Sequence, residues 1–298
     1  MGGKKQKVII EGKSKDLPIV VFLHGGPGLP IPWNVSSCGL YPEITEKNIF
    51  VTWDQYGSGI NKAQLDESFS TETLVEMAKD LVRNLKKDFP EQKVMLFGVS
   101  WGSYLTARLA TEMPESIDSV LVYGQMTVAD NLSEENFATL RASKLSDKDK
   151  EKLEEITAKK EPDINDRMLV SGWISRYTEG MVAQGTSFWD YVPLLLDSAF
   201  SPDYRLRDGI ALMVNDYDGH QNFLQQVFEI DLREVLKEVK VPYMIVQGEH
   251  DLVTSTNSVK ALVDSADNPY LKLEIIPNSS HNPSQAALEQ LIRFEQYR

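Results

Sequence analysis

Gly98-Val99-Ser100-Trp101-Gly102 is the stretch of this sequence that decides its fold. It follows the apolar run 94–97 and leads into the run 104–110, which predicts a strand that enters a sharp turn and a helix that leaves it. In such a turn the serine takes a strained backbone conformation, and glycines avoid collisions with the neighbouring strand and helix. G-x-S-x-G also occurs by chance in glycine-rich loops, so its meaning depends on the rest of the chain.

Further apolar runs predict buried strands that alternate with helices. The predicted strands besides 94–99 are 17–23, 49–54, 119–124, 241–247 and 271–276, and the predicted helices are 73–89, 105–113 and 285–297. Thr73 and Glu76 have the spacing of a capping box for the first of these helices. Strands and helices in alternation imply parallel βαβ units. The predicted fold class is therefore α/β, with a mostly parallel, doubly wound sheet.

The alternation stops in the middle of the chain. From about residue 129 to residue 238 the sequence is helical and polar, and the strand pattern then resumes. This predicts a core formed by residues 1–128 and 239–298, with an inserted helical cap at 129–238.

Composition excludes several classes of function. The chain has 298 residues, 42% of them hydrophobic, and a formal net charge of −13. A strongly negative surface argues against binding to nucleic acid or to an anionic membrane. The one cysteine, Cys38, cannot form an internal disulfide, and there is neither a signal-peptide core nor an apolar run long enough for a membrane helix, so we expect a cytoplasmic protein.

Three residue types needed for nucleophilic catalysis each follow a predicted strand. They are Ser100, Asp251 and His281, in the chain order that α/β-hydrolases use. In that chemistry the imidazole takes the serine proton, and the carboxylate fixes the ring tautomer and stabilises the imidazolium. We prefer Asp251 as the acid because it lies in the loop that leaves a strand. The other acids near it are Glu249, Asp264 and Asp267.

The first predicted strand ends in a loop made almost entirely of glycine, His24-Gly25-Gly26-Pro27-Gly28. Glycines let backbone N–H groups point into a cavity, so such a loop can donate hydrogen bonds to a developing oxyanion. A plain turn is the alternative interpretation of the same residues.

This loop, the stretches Trp53-Asp54-Gln55 and Gly57-Ser58-Gly59, the sequence Gly98–Ser103 and the residues Asp251 and His281 together resemble the proline iminopeptidase (prolyl aminopeptidase) group of α/β-hydrolases. The resemblance implies an α/β-hydrolase fold with a helical cap and no metal or other cofactor. It further implies that the backbone N–H groups of Gly26 and Trp101 form the oxyanion hole.

The sequence departs from this group both in the stretch after the second predicted strand and in the cap. Tyr56 stands where the group usually has arginine, and Ile60-Asn61 where it has arginine and serine. The cap glutamates with which the group's aminopeptidases hold a free amine are missing from Trp173-Ile174-Ser175 and Asn215-Asp216-Tyr217. Cap acids that remain as candidates are Glu179, Asp190, Asp197, Asp216, Asp218 and Glu229.

From these observations we expect a serine hydrolase that cleaves an ester or amide bond in a small molecule or short peptide, with a proline-iminopeptidase-like aminopeptidase as the leading interpretation. A small-acyl carboxylesterase is the main alternative, and a catalytically silent binding protein is a further one. Gly25, Asp216 and Asp218 are the candidate substrate contacts. No oligomeric state is predicted.

Overall fold

The strands of the sheet are the apolar, β-branched runs of the sequence. The computed structural model describes residues 1–31, 41–128, 131–183, 189, 192–193, 196, 201–205, 208, 216–217 and 219–298. Within these residues the strands are β1 (Ile9–Glu11), β2 (Ile19–Leu23), β3 (Ile49–Thr52), β4 (Val94–Val99), β5 (Ser119–Tyr123), β6 (Tyr243–Gly248) and β7 (Leu271–Ile276). Strands β2, β3 and β5 are buried along their whole length, as expected where helices cover both faces of a sheet.

In the described part of the chain these strands form one sheet in the order β1-β3-β2-β4-β5-β6-β7. The pair β1 and β3 is antiparallel, and the other neighbours in this sheet are parallel. Strand β4, which precedes the G-x-S-x-G turn, lies between β2 and β5. Parallel strands end at the same edge of a sheet, so the loops that follow β2, β4, β6 and β7 lie near one another. The prediction of an α/β fold with a mostly parallel, doubly wound sheet is confirmed.

Helices cover both faces of the sheet. The α-helices of the described residues are α1 (Glu43–Lys47), α2 (Thr71–Asp88), α3 (Trp101–Glu112), α4 (Glu134–Ala142), α5 (Asp147–Thr157), α6 (Ile164–Tyr177), α7 (Gln221–Phe228), α8 (Arg233–Lys237), α9 (Thr256–Ala266) and α10 (Gln285–Leu291). One face packs against α2, α3, α8 and α9. The other packs against α1, α10 and the 3₁₀ turn Phe294–Tyr297. The apolar side chains between these layers form the core.

Local differences from the sequence analysis concern helix ends and short elements. Helix α2 begins at Thr71 because Ser70 is its N-cap and accepts the N–H of Thr73 at 3.2 Å. The predicted capping box of Thr73 and Glu76 is therefore wrong, and Glu76 instead pairs with Lys79 at 2.6 Å. Strand β1 and helix α9 were not predicted, and the closing helix ends at Leu291 before the 3₁₀ turn.

Helices α4, α5 and α6 have an apolar cluster of their own, with Leu140, Leu153 and Val170 fully buried in it. Polar contacts join this unit to the loop after β6. Glu135 of α4 accepts hydrogen bonds from Ser255 and Asn257, each at 2.6 Å. The helical unit is thereby attached beside the carboxyl edge of the sheet.

Part of the chain between residues 129 and 238 packs into the main core instead. Tyr217, Phe223, Leu232 and Leu236 are buried in the same cluster as strands β2 and β4. The division into a core of residues 1–128 and 239–298 and a cap of 129–238 stays a prediction.

The residues named in the sequence analysis that lie outside the described residues are Cys38, Asp190, Asp197, Asn215 and Asp218. Among the helices of the described residues, none combines the length and the apolar character needed to cross a membrane.

Candidate active site

The G-x-S-x-G stretch forms the sharp turn between β4 and α3. Ser100 has φ +52° and ψ −118°, a conformation that L-residues rarely adopt. A Cβ at Gly102 would lie 2.7 Å from the carbonyl carbon of Leu23, and one at Gly98 would lie 2.9 Å from the carbonyl oxygen of Gly102. Both glycines are therefore required by close packing, and the turn holds Ser100 at the edge of the sheet.

Ser100, His281 and Asp251 form one chain of hydrogen bonds. His281 Nε2 lies 2.9 Å from Ser100 Oγ, and His281 Nδ1 lies 2.9 Å from Asp251 Oδ2. With the carboxylate ionised, Nδ1 carries the hydrogen and Nε2 can accept the serine proton. The structure thus brings together the three residues selected from the sequence, although they are 30 and 181 positions apart.

Asp251 is buried, with 1% of its surface exposed, and five groups of the described residues donate hydrogen bonds to its carboxylate. Besides His281, the donors are the N–H groups of Val253 and Thr254, the Thr254 hydroxyl and the Gln247 amide, at 2.7 to 3.0 Å. Burial alone would raise the pKa of Asp251. The adjacent His281 and these hydrogen bonds outweigh burial and hold the pKa below its ordinary value. The carboxylate is therefore ionised at neutral pH.

The other acids considered from the sequence lie elsewhere. Glu249 is exposed and accepts the N–H of Asn278 at 3.1 Å, and Asp264 pairs with Lys260 on the surface of α9 at 2.5 Å. Asp267 ends helix α9 in the left-handed conformation.

The glycine loop after β2 lies directly beside Ser100. A Cβ at Gly25 would be 3.3 Å from Ser100 Cβ. Among the described residues, the backbone N–H groups of Gly26 and Trp101 have no recorded acceptor. Two free donors near the serine are what an oxyanion hole requires. Their assignment to one stays a prediction.

Two titratable groups are buried here, His24 at the start of the glycine loop and Asp54 after β3. His24 is fully buried; its Nε2 accepts the N–H of Gln55 and its Nδ1 donates to the Gly25 carbonyl, both at 2.9 Å. Burial lowers the pKa of His24 to about 4. Asp54 is also fully buried, and burial raises its pKa to about 6, although it accepts the Ile60 N–H and the Tyr204 hydroxyl, both at 2.8 Å.

These two pKa shifts make the free energy of unfolding change with pH in opposite directions. The lowered pKa of His24 means that its stabilising contribution is present above pH 6.5 and is lost as the pH falls to about 4. The raised pKa of Asp54 means that its contribution is present below pH 3.8 and is lost as the pH rises through about 6. Between about pH 4 and 6 the two changes oppose each other. Each shift of about two pKa units corresponds to roughly 3 kcal/mol.

We expect Asp54→Asn to reveal the pH dependence of stability that His24 causes, because the substitution removes the opposing effect of the Asp54 carboxyl group. Between pH 6.5 and 4 the free energy of unfolding of the variant should fall by roughly 3 kcal/mol more than that of the wild type. Urea unfolding at several pH values measures this difference. Asp88→Asn, at the exposed end of α2, is the control and should follow the wild-type curve. Parallel curves for Asp54→Asn and wild type would contradict protonation of Asp54 in the folded state.

The chain after α6 lies against the loops that hold the triad. Gly180 O accepts the N–H of His281 at 3.2 Å, and Met181 O accepts the N–H of Asn282 at 2.9 Å. A Cβ at Gly180 would lie 2.6 Å from Leu252 Cβ, so this segment also packs on the loop of Asp251. The neighbouring Glu179 is exposed and has no recorded hydrogen-bond or ion-pair partner among the described residues.

Asp216 occupies a different place. Its carboxylate accepts the backbone N–H of Leu65 at 2.8 Å. The adjacent Tyr217 is fully buried; its ring packs on Gly28 and Gly57, and its hydroxyl donates to the carbonyl of Tyr56. Asp216 thus has a structural role in holding the loop before α2.

Glu72, Glu76 and Glu112 form an acidic group of metal-binding dimensions among the described residues. Each carboxylate already pairs with Lys79 or Arg108 on the surface of α2 and α3. We assign no metal to this group.

Sequence reasoning missed two side chains that position the triad, Thr254 and Gln247, and one that joins the loops, Gln55. The only signal for Gln55 was its place in the Trp53-Asp54-Gln55 stretch. Thr254 and Gln247 carried none, because a threonine or glutamine near a strand end is common in any loop.

Comparisons with known proteins agree with this geometry. A family model described as alpha/beta hydrolase fold matches residues 18–284. A Bacillus subtilis protein named "Probable aminopeptidase YbaC" is 23% identical over 288 residues, which cover 95% of this chain and 89% of the relative. These matches support a hydrolase.

Solved structures show the same fold. The crystal structure of VinJ matches with a TM-score of 0.64 at 21% identity, covering 97% of this chain and 92% of VinJ. A proline iminopeptidase from Mycobacterium smegmatis matches with a TM-score of 0.60 at 20% identity, covering 97% and 94% of the two chains. The chain therefore belongs to the α/β-hydrolase fold family, and within that family it resembles proteins named as aminopeptidases and proline iminopeptidases.

Proposed function

We propose that this protein is a serine hydrolase that cleaves an ester or amide bond through an acyl-enzyme, and that it acts as an aminopeptidase of the proline iminopeptidase type. The observation that carries the proposal is the unbroken hydrogen-bond chain from Ser100 through His281 to buried Asp251. A strained serine with a positive φ has no use in a protein that only binds, since the conformation destabilises the fold.

The geometry supports the following steps. Ser100 Oγ attacks the carbonyl carbon while its proton moves to His281 Nε2, and the oxyanion accepts hydrogen bonds from the N–H groups of Gly26 and Trp101. The imidazolium then gives this proton to the leaving amine, and the C–N bond breaks to leave an ester on Ser100. Water attacks that ester with His281 as the base, which releases the acid and restores the serine hydroxyl.

An aminopeptidase must also bind a protonated N-terminus, and a buried ammonium without a carboxylate partner costs several kcal/mol. Of the described cap acids, Glu179 supports this role best. It adjoins Gly180, whose carbonyl accepts the N–H of His281, and its carboxylate has no recorded partner in the described part of the chain. Asp216 is less suited because the Leu65 N–H already occupies it.

Prolyl and alanyl arylamides with a free amine should be hydrolysed, and their N-acetylated counterparts should not. Glu179→Gln should raise KM for the free-amine arylamides at least tenfold, the effect of losing about 1.4 kcal/mol of binding, because it removes the charge partner of the ammonium. Steady-state kinetics on both substrate sets test this expectation. Glu161→Gln, another exposed acid of the same region, is the matched control and should keep the wild-type KM.

If Asp216→Asn raised KM and Glu179→Gln did not, the amine site would be at Asp216. If neither variant had an effect and the arylamides were still cleaved, the amine partner would be another acid, either Glu229 or one outside the described residues.

A carboxylesterase is the second candidate, and the occupied carboxylate of Asp216 favours it, together with the exposed Leu29 beside the glycine loop. Rapid cleavage of short acyl esters with no cleavage of any free-amine arylamide would establish it. Failure on both substrate classes would favour the binding protein.

A further inference from the structure

Three stretches that the sequence analysis treated separately meet at one side chain, Gln55. Its amide Nε2 donates to the carbonyl of His24 at 3.0 Å, and its Oε1 accepts the indole N–H of Trp101 at 2.9 Å. Its own backbone N–H donates to His24 Nε2 at 2.9 Å. Gln55 and His24 are fully buried and Trp101 is 1% exposed, so water does not compete for these bonds.

Each partner of Gln55 belongs to one half of the candidate oxyanion hole. His24 stands two residues before Gly26 in the glycine loop, and Trp101 carries the second N–H itself. The Gln55 side chain therefore connects the segment of one donor with the residue of the other.

The sheet alone does not set the distance between the two donors. The ladder between β2 and β4 ends at the pair Leu23 and Gly98, three residues before Gly26 and three before Trp101. Beyond that pair the β2 chain turns into the glycine loop, whereas β4 pairs with β5 for one more residue, Val99 with Tyr123, before the G-x-S-x-G turn. An added constraint is needed to place two N–H groups around one oxygen atom, since oxyanion-hole catalysis depends on donor positions set before the reaction.

We propose that Gln55 is a positioning residue that holds the two oxyanion donors in register, by binding the glycine loop through His24 and the nucleophile turn through the Trp101 indole. The proposal rests on the proposed function, because an oxyanion hole matters only if Ser100 attacks a carbonyl. Gln55 touches no reacting atom and acts through the two segments that it joins.

The test is Gln55→Met, which keeps the length of the side chain and removes both side-chain hydrogen bonds. Removing one oxyanion donor outright lowers kcat by about 10²- to 10³-fold, so misplacing a donor should lower it by roughly 10- to 100-fold. KM should stay within about threefold, because the carbonyl oxygen of the bound substrate forms weaker hydrogen bonds with the two donors than the oxyanion does. The inhibition constant of phenylboronic acid, which forms a tetrahedral adduct with a nucleophilic serine, should rise by about the same factor as kcat falls.

Gln125→Met is the matched control. Gln125 is also a fully buried glutamine, and its amide bonds to Met126 O and the Tyr243 hydroxyl at 2.6 and 2.7 Å. This substitution removes the same number of side-chain hydrogen bonds without touching either oxyanion segment. It should lower the melting temperature about as much as Gln55→Met does and keep kcat within about threefold.

Trp101→Phe provides a second route if Gln55→Met folds poorly. It removes the indole N–H that reaches Gln55 and should also lower kcat with little change in KM. If the Gln55 side chain and the Trp101 indole act as one connection, their substitutions should not add. The kcat of the double variant should then be no more than about threefold below that of the less active single variant.

Either of two results would overturn the proposal: a wild-type kcat in folded Gln55→Met and Trp101→Phe, or a loss of kcat in Gln125→Met equal to that in Gln55→Met. Neither result touches the proposed function, which is tested separately by the serine substitution. A Ser100→Ala protein with full activity would instead remove the proposed function and leave Gln55 as a structural connection only.

Discussion

Ser100→Ala is expected to lower kcat by about 10⁴- to 10⁶-fold while leaving the fold intact. The Ser100 hydroxyl lies 2.9 Å from His281 Nε2, and it makes no other hydrogen bond within the described residues. Its loss therefore removes the nucleophile without breaking a structural contact. Initial rates on the best substrate of the arylamide and ester panel measure the effect.

Ser103→Ala is the control for this substitution. Ser103 lies one helical turn further along α3, and its buried hydroxyl accepts the N–H of Met126 at 2.9 Å. Removing that hydroxyl should reduce the free energy of unfolding by about 1 kcal/mol and leave kcat nearly unchanged. A fluorophosphonate probe should label Ser100 alone, as mass spectrometry of the digested protein would show. Wild-type turnover by Ser100→Ala would disprove the serine mechanism.

Asp251→Asn is expected to lower kcat by roughly 10⁴-fold. Within the described residues five groups donate hydrogen bonds to this carboxylate, so an amide NH₂ in place of either oxygen faces groups that are donors in the wild type. If the NH₂ faces His281, Nδ1 must become the acceptor and the ring hydrogen moves to Nε2, which can no longer take the serine proton. If the NH₂ faces the other way, it meets the N–H groups of Val253 and Thr254.

Measurement of kcat together with the melting temperature separates catalysis from stability, since the unpaired amide should also destabilise the fold by about 1 to 3 kcal/mol. Glu249→Gln, two residues earlier and exposed, should have nearly wild-type kcat. If Glu249→Gln were the damaging substitution and Asp251→Asn were not, the acid of the triad would have been assigned wrongly.

The sequence alone predicted the elements whose signals are local. Strand β4 was predicted with the bounds that the structure has, because its signal is a run of consecutive apolar residues. The alternation of strands and helices predicted a parallel sheet, and parallel strands place the residues that follow them at one edge. That reasoning, together with the chain order of the three residue types, selects Ser100, Asp251 and His281 from the sequence.

Local signals also have limits at helix ends. Ser70 and Thr73 are both suitable N-caps for α2, and the pattern of apolar residues inside the helix does not distinguish them. In the structure Ser70 is the N-cap, and its hydroxyl accepts the Thr73 N–H. The capping box predicted for Thr73 and Glu76 was wrong for this reason.

Tertiary structure decided which distant segments touch. Gln55 meets residues 31 and 46 positions away, and the carbonyl of Gly180 meets His281, 101 positions later in the chain. It also placed Asp216, preferred from the sequence, on the Leu65 N–H, and Glu179 beside the loop of the histidine. The spacing of apolar residues along the sequence indicates which face of a helix or strand is apolar. The pairing of polar side chains between segments depends on how whole elements dock, because each buried donor must find an acceptor that only the assembled core provides.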